Sequence, residues 1–148
     1  MDAFIIYQSC LNGSQSTTWS GHTVEIIKNI INSIFHNAIN DSNISTFTNV
    51  IRKLVGHFGL FFISGIFTSL AIYYLLYENK LAHYYKILIM LPFGLSVAII
   101  TEVIQLSVPN RSGQLTDVLI DFAGYFTAII LVNLILLLIF YKKKTNKK

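Results

Sequence analysis

The stretch Thr101–Gly124, TEVIQLSVPNRSGQLTDVLIDFAG, separates two long apolar runs of the sequence. It carries Glu102 and Asp121 inside segments that otherwise have the composition of membrane-spanning helices. An ionisable group at the centre of a membrane helix costs roughly 2.5–3.5 kcal/mol or more, and less near the interface. The stretch therefore predicts a turn between two spanning helices, with a polar site built around that turn.

The two flanking runs and a third, earlier run are each long enough to cross a bilayer. A spanning helix needs about 20 mainly apolar residues. Runs of this kind lie at residues 54–77, 85–108 and 117–141. Tyrosines gather at the ends of these runs, as in the aromatic belts of membrane interfaces. We therefore expect a small bundle with three full transmembrane helices.

The composition agrees with a membrane protein of one domain, residues 1–148. The chain is 53% hydrophobic and 12% charged, and its mean hydropathy is +0.59. Soluble domains hold about 25% charged residues. Cys10 is the one cysteine, which excludes an internal disulfide and a cysteine-based metal cluster. The fold class that follows is an all-α polytopic membrane protein.

The N-terminal third of the sequence has a different pattern. Residues 22–40 alternate apolar and polar side chains at helical spacing, which predicts an amphipathic helix with Thr23 as its N-cap. This helix would lie on the outer leaflet or pack on the rim of the bundle; the alternative is ordinary packing against the next span. Residues 1–21 are interpreted as a short apolar start, Ala3–Tyr7, followed by a polar loop, Gln8–Gly21.

The distribution of basic residues predicts how the spans are oriented. Five of the 11 lysines and arginines lie in the last seven residues, KKKTNKK, and the positive-inside rule places this tail, 142–148, in the cytoplasm. The loop Pro109–Thr116 then lies outside and the loop Glu78–His83 inside. No fold that could read a DNA groove precedes the tail, so no nucleic-acid partner is expected. The expected partners are membrane lipids.

Near the outer end of each predicted span, two polar residues lie three or four positions apart, which places them on one helix face. At a rise of about 1.5 Å per residue, all of them lie roughly 10 Å or less below the span ends. One bundle would bring them into a single pocket beneath a guanidinium of the loop. The predicted ligand-binding residues are Lys53, His57, Glu102, Gln105, Arg111, Asp117 and Asp121.

The same residues allow other interpretations. The carboxylates would also serve as polar contacts that only hold helices together. Asp117 would then be a cap of the last span. Arg111 would extend its side chain to the membrane interface, as snorkelling side chains do. The histidine and carboxylates include ligand types that zinc accepts, but their spacing matches no compact metal motif, so no metal and no other cofactor is expected. A single pocket requires His57 to lie within about 12 Å of Glu102, because direct or water-bridged contact occurs only at much shorter distances.

Two motifs stand in order along the chain. The upstream segment IRKLVGHFGLFFISG holds a basic pair, His-Phe, an aromatic residue and a glycine. Downstream come E-x-x-Q, P-x-R and D-x-x-x-[N/D]-x-x-G. Together they resemble the signatures of the VanZ-like family of bacterial membrane proteins. The matching residues are Arg52, Lys53, His57, Phe58, Phe61, Gly65, Glu102, Gln105, Pro109, Arg111, Asp117, Asp121 and Gly124.

The chain departs from the family pattern at three places. Ala128 stands where a second glycine is common, and Asp121 stands where many members have asparagine. Family members usually begin with a complete first span, whereas this sequence begins near the end of one. The family layout therefore implies a truncated first span within residues 1–21, and either the true start lies upstream or the first helix has been lost.

The resemblance implies a multi-pass protein of the bacterial plasma membrane with a cytoplasmic C-terminus, linked to low-level resistance to the glycopeptide teicoplanin. A binding protein of the cell envelope would take a lipid-linked cell-wall precursor or another anionic headgroup, with Arg111 and Lys53 on the anion. Two alternatives are a membrane enzyme acting on lipid-linked headgroups, with Glu102 or His57 as general base, and a structural or assembly subunit.

Overall fold

The computed structural model describes residues 1–36, 38–76 and 83–145 of the chain, without the side chains of residues 19, 83 and 140–145. Within these ranges every regular element is a helix, which confirms the predicted all-α membrane fold. The elements are α1 (Asp2–Cys10), α2 (Gly13–Ile34), α3 (Ile44–Ile51), a π-helical segment (Arg52–Gly59), α4 (Leu60–Leu75), α5 (His83–Leu106) and α6 (Leu115–Thr145).

Three helices are long and apolar enough to cross a membrane, as predicted: Ile44–Leu75, Tyr84–Leu106 and Leu115–Ile139. The first begins at Ile44 instead of residue 54, because α3, the π-helical segment and α4 form one continuous helix. The predicted loop Glu78–His83 falls largely on residues outside the described ranges. The first part of the predicted tail continues α6 as far as Thr145. Residues 146–148 lie outside the described ranges.

The polar stretch predicted as a loop is helical, so that prediction was wrong. α2 begins at Gly13, where Asn12 Oδ1 accepts a hydrogen bond from the Gln15 amide at 2.9 Å and Gln15 Oε1 accepts one from the Asn12 amide at 3.2 Å. This capping box starts the helix well before Thr23, the predicted N-cap. Hydroxyls inside the helix bond to backbone carbonyls one turn back, which satisfies them without a loop.

The apolar core lies between the spans and includes α1. Its buried residues are Ile5, Phe61, Met90, Val97, Ala98, Val118, Tyr125 and Ile129. The α1 helix is further held inside the bundle by Asp2, whose carboxylate accepts a hydrogen bond from the hydroxyl of Ser64 on α4. The nine-residue α1 is therefore an integral part of the core.

The first and third spans run side by side in the same direction and touch through small residues. A Cβ added at Gly65 would lie 2.7 Å from the Tyr125 carbonyl oxygen and 2.8 Å from the Ala128 Cβ. Gly124 lies equally tightly against the Phe58 backbone. This close approach, which small residues permit between membrane helices, brings the polar residues of the π-helical segment directly onto the start of α6.

Candidate functional site

His57 lies at the centre of a cluster of carboxylates from the two other spans. Its Nδ1 is 3.0 Å from Asp121 Oδ1 and 3.8 Å from Glu102 Oε1, and its Nε2 is 3.7 Å from Asp117 Oδ2. The distance to Glu102 is well inside the limit set for a single pocket. The π-helical backbone positions this histidine, and such departures from α-helical geometry are frequent at functional sites.

The outer edge of the cluster is formed by an ion pair. Lys53 Nζ lies 2.5 Å from Asp117 Oδ1, and the lysine side chain is 39% exposed whereas the aspartate is 10% exposed. Lys53 and His57 are four residues apart, as are their partners Asp117 and Asp121. The two helices therefore meet in register, with one polar contact per turn.

Glu102 is held by two hydrogen bonds from neutral donors. Gln105 Nε2 donates to its Oε1 at 3.1 Å, and the backbone amide of Gln114 donates to its Oε2 at 2.9 Å. The loop can fold back this far because Gly113 has no side chain: a Cβ there would lie 2.5 Å from the Glu102 carbonyl oxygen. Gln114 was not predicted from the sequence.

Arg111 connects the loop to the end of α1. Its Nη1 donates to the carbonyl oxygens of Gln8 at 3.3 Å and Leu11 at 3.4 Å. These carbonyls belong to the C-terminal end of a helix, where a cation is favoured. Burial, followed by the charge of nearby Arg52, lowers the pKa of Arg111, and Glu102 opposes the shift. A guanidinium nevertheless keeps its charge in proteins.

A cavity of about 240 Å³ opens beside this cluster, between α1, α2, the π-helical segment and α5. Four predicted site residues line it, whereas Lys53, Glu102 and Asp117 belong to the cluster but do not line the cavity. The polar lining residues are Gln8, Ser9, Ser16, Ser20, Thr23, Arg52, His57, Thr101, Gln105, Arg111 and Asp121.

Sequence reasoning missed the contribution of α2 and of Arg52 to this cavity. Ser16, Ser20 and Thr23 are four and three residues apart, so they share one face of a helix. The signal that could have placed them was the pairing of Asn12 with Gln15, which marks a helix start. Arg52 was visible only as the neighbour of Lys53 in a basic pair.

The cluster could act on a proton or on a cation. The carboxylate of Asp121, 1% exposed, fixes the His57 ring through Nδ1, which is how a general base is oriented. His57, Glu102 and Asp121 also offer potential metal-ligand atoms within 4.8 Å of one another. These atoms already take part in the contacts described above, so the arrangement is accounted for as a hydrogen-bonded network.

Comparison with known proteins bears on the whole chain. A family model described as VanZ/LLP1 matches residues 2–139 of the 148. No curated protein and no solved structure gives a significant match. The matched range contains both motifs and all three helices capable of crossing a membrane. The resemblance expected from the motifs is thereby confirmed, and the chain belongs to the VanZ/LLP1 family and is a membrane protein of that family.

Proposed function

We propose that this protein binds the polar headgroup of an envelope lipid or lipid-linked cell-wall precursor, and that this binding contributes to glycopeptide resistance. The observation that carries the proposal is the cavity beside the histidine cluster. It combines a polar wall with an apolar wall formed by residues that include Phe4, Ile5, Leu60 and Phe61. An amphiphile matches this combination, since its headgroup and its chain need different surroundings.

The size of the cavity limits what enters it. Its volume of about 240 Å³ is below the roughly 300–1,000 Å³ of pockets that enclose a drug-sized ligand. The cavity therefore takes a single headgroup or one part of a larger one. The remainder of a lipid-linked precursor would stay outside the cavity, with its chain in the bilayer.

Alanine substitution at three site residues tests the proposal. In a glycopeptide-sensitive bacterium, production of the wild-type protein should raise resistance to teicoplanin. We expect Glu102→Ala, Arg111→Ala and Asp121→Ala each to remove this resistance and to reduce binding of envelope lipids. Glu25→Ala is the matched control, because Glu25 is exposed on α2 and lies outside the cavity. If all three site variants are produced at the normal level and retain resistance and lipid binding, the proposal is wrong.

A second candidate function is catalysis on a lipid-linked headgroup. The observation that favours it concerns His57, which lines the cavity. Its Nδ1 lies 3.0 Å from Asp121 Oδ1. Glu102 is less suited as a base, because both of its oxygens accept hydrogen bonds and it does not line the cavity. His57 is therefore the better candidate of the two.

Turnover of a purified lipid substrate would separate catalysis from binding. General-base catalysis contributes about 10²–10⁴-fold to a rate, so His57→Gln should lower kcat by about that factor while lipid binding persists. Loss of turnover in Glu102→Gln with an active His57→Gln would instead assign the base to Glu102. Binding without turnover of envelope lipids in the wild-type protein would contradict the catalytic function and leave the binding function intact.

A further inference from the structure

Two guanidinium groups face the cavity without a carboxylate partner. Among the residues that the structure describes, neither Arg52 nor Arg111 forms an ion pair. Arg111 donates only to backbone carbonyls. Burial lowers the pKa of Arg111 most, the charge of nearby Arg52 lowers it further, and the charge of Glu102 opposes the shift. Two like charges beside one cavity repel each other, and a bound anion would relieve this repulsion.

Two of the three carboxylates of the site do not line the cavity. Glu102 is bonded to Gln105 and Gln114, and Asp117 is paired with Lys53. Asp121 is the one acidic residue among the described residues that line the cavity, and it contacts His57. With two positive guanidinium groups against one paired carboxylate, the lining has a net positive charge even when the histidine is neutral.

The α2 helix adds hydroxyl groups to the same wall. Ser16, Ser20 and Thr23 line the cavity from one helix face. Ser20 donates back to the Ser16 carbonyl, whereas the hydroxyls of Ser16 and Thr23 form no hydrogen bond to any other described residue. Hydroxyls beside arginines supply donors to phosphate oxygens, and guanidinium groups bind phosphate through paired hydrogen bonds.

We propose that the cavity binds a phosphate group between Arg52 and Arg111, with the hydroxyls of Ser16, Ser20 and Thr23 completing the site. This inference rests on the proposed function and specifies the ligand as the phosphate of a phospholipid or polyprenyl-phosphate type of headgroup. It replaces Lys53, expected on the anion from the sequence, by its neighbour Arg52. The Lys53 ammonium is 2.5 Å from Asp117 and does not line the cavity.

Binding to the purified chain in detergent tests this site with three probes. They are dioctanoyl phosphatidate, dioctanoylglycerol, which has the same chains without phosphate, and inorganic phosphate. We expect phosphatidate to bind at least about tenfold more tightly than dioctanoylglycerol, since a hydrogen bond to a charged group is worth about tenfold or more in affinity. Arg52→Gln and Arg111→Gln should each remove about that factor, and Arg52→Lys only part of it.

Lys28→Gln is the matched control, because it removes a positive charge from α2 outside the cavity and should leave phosphatidate binding unchanged. Arg52→Gln is the cleaner site variant, since Arg111 also bonds the end of α1. Its melting temperature, compared with that of the wild-type protein, checks that it is folded. Arg52 has no hydrogen bond or ion pair to another described side chain, so we expect a small change.

The three probes distinguish failure of this inference from failure of the proposed function. Equal affinity for phosphatidate and dioctanoylglycerol, unaffected by either arginine variant, would overturn the phosphate site and leave lipid binding standing. Inorganic phosphate bound as tightly as phosphatidate would support the phosphate site and contradict a lipid headgroup as its ligand. Binding of none of the probes would overturn both.

Discussion

At the scale of single residues, each buried ionisable group of the site has a specific partner. Lys53 neutralises Asp117, and His57 contacts Asp121. Glu102 receives its hydrogen bonds from neutral donors. Removing one member of such a pair leaves the other buried and unpaired, which costs more than the pair itself contributes. The partners therefore explain how these charges are tolerated inside apolar helices.

Asp121 provides the sharpest test of this pairing. Asp121→Ala should lower the free energy of unfolding by about 1–3 kcal/mol, because it leaves the His57 ring without a hydrogen-bond partner. Asp121→Asn should lose less than half of that, since the amide oxygen can still accept the hydrogen bond. Unfolding in detergent by increasing denaturant would measure both. Asp41→Ala, an exposed position, should stay within about 0.5 kcal/mol of the wild type.

Gly113 offers a prediction with a built-in control. A Cβ at Gly113 would lie 2.5 Å from the Glu102 carbonyl oxygen, whereas a Cβ at Gly21 would meet nothing within 4 Å. Gly113→Ala should therefore destabilise the protein by about 1–3 kcal/mol and displace Gln114 from Glu102. Gly21→Ala should stabilise it by about 0.5–1 kcal/mol, since alanine favours helix. Thermal unfolding of both variants would reveal the opposite signs, and destabilisation of similar size in both would contradict the loop geometry.

At the scale of secondary-structure elements, the apolar spans were predictable and the polar helix was not. The spans follow from length and hydropathy alone. The first was predicted to start at residue 54, directly after the charged pair Arg52 and Lys53. Asp117 neutralises Lys53, and the helix extends back through this pair to Ile44. Composition made Gln8–Gly21 look like a loop, although its local hydrogen bonds favour a helix.

The site was predictable to the extent that it depends on charges in apolar segments. Glu102 and Asp121 are conspicuous there, and helical spacing added their neighbours. Arg52 could not be assigned, because which of two adjacent basic residues faces a cavity depends on the π-helical winding of residues 52–59. A local distortion of this kind arises from tertiary packing and leaves no clear pattern in one sequence.

The start of α2 is the element whose formation can be tested most directly. Asn12→Ala removes the side-chain acceptor of the capping box and should lower the free energy of unfolding by about 1 kcal/mol. Hydrogen exchange should increase first at the amides of Gln15 and Ser16. Asn29→Ala, at an exposed position inside the same helix, should have no such effect. Unchanged exchange at the start of α2 in Asn12→Ala would show that the cap does not stabilise this helix.

At the scale of the whole molecule, the polar groups concentrate at one end of the bundle. The end of α1, the start of α2, the end of α5 and the start of α6 meet there, and Gly13 donates a hydrogen bond to the Pro109 carbonyl at 3.2 Å. The opposite end carries the run of lysines that begins at residue 142. By the positive-inside rule, we expect the cavity to open towards the outer surface of the membrane.

This orientation predicts which side of the membrane each end can be labelled from. In a Cys10→Ser background, Ser112→Cys should react with a membrane-impermeant maleimide in intact cells, since Ser112 is exposed in the loop at the cavity end. Lys144→Cys should react only after the cells are opened. Replacing Cys10 is necessary because it is itself exposed. Labelling of Lys144→Cys in intact cells, with protection of Ser112→Cys, would reverse the topology and place the cavity on the cytoplasmic side, out of reach of a surface-exposed headgroup.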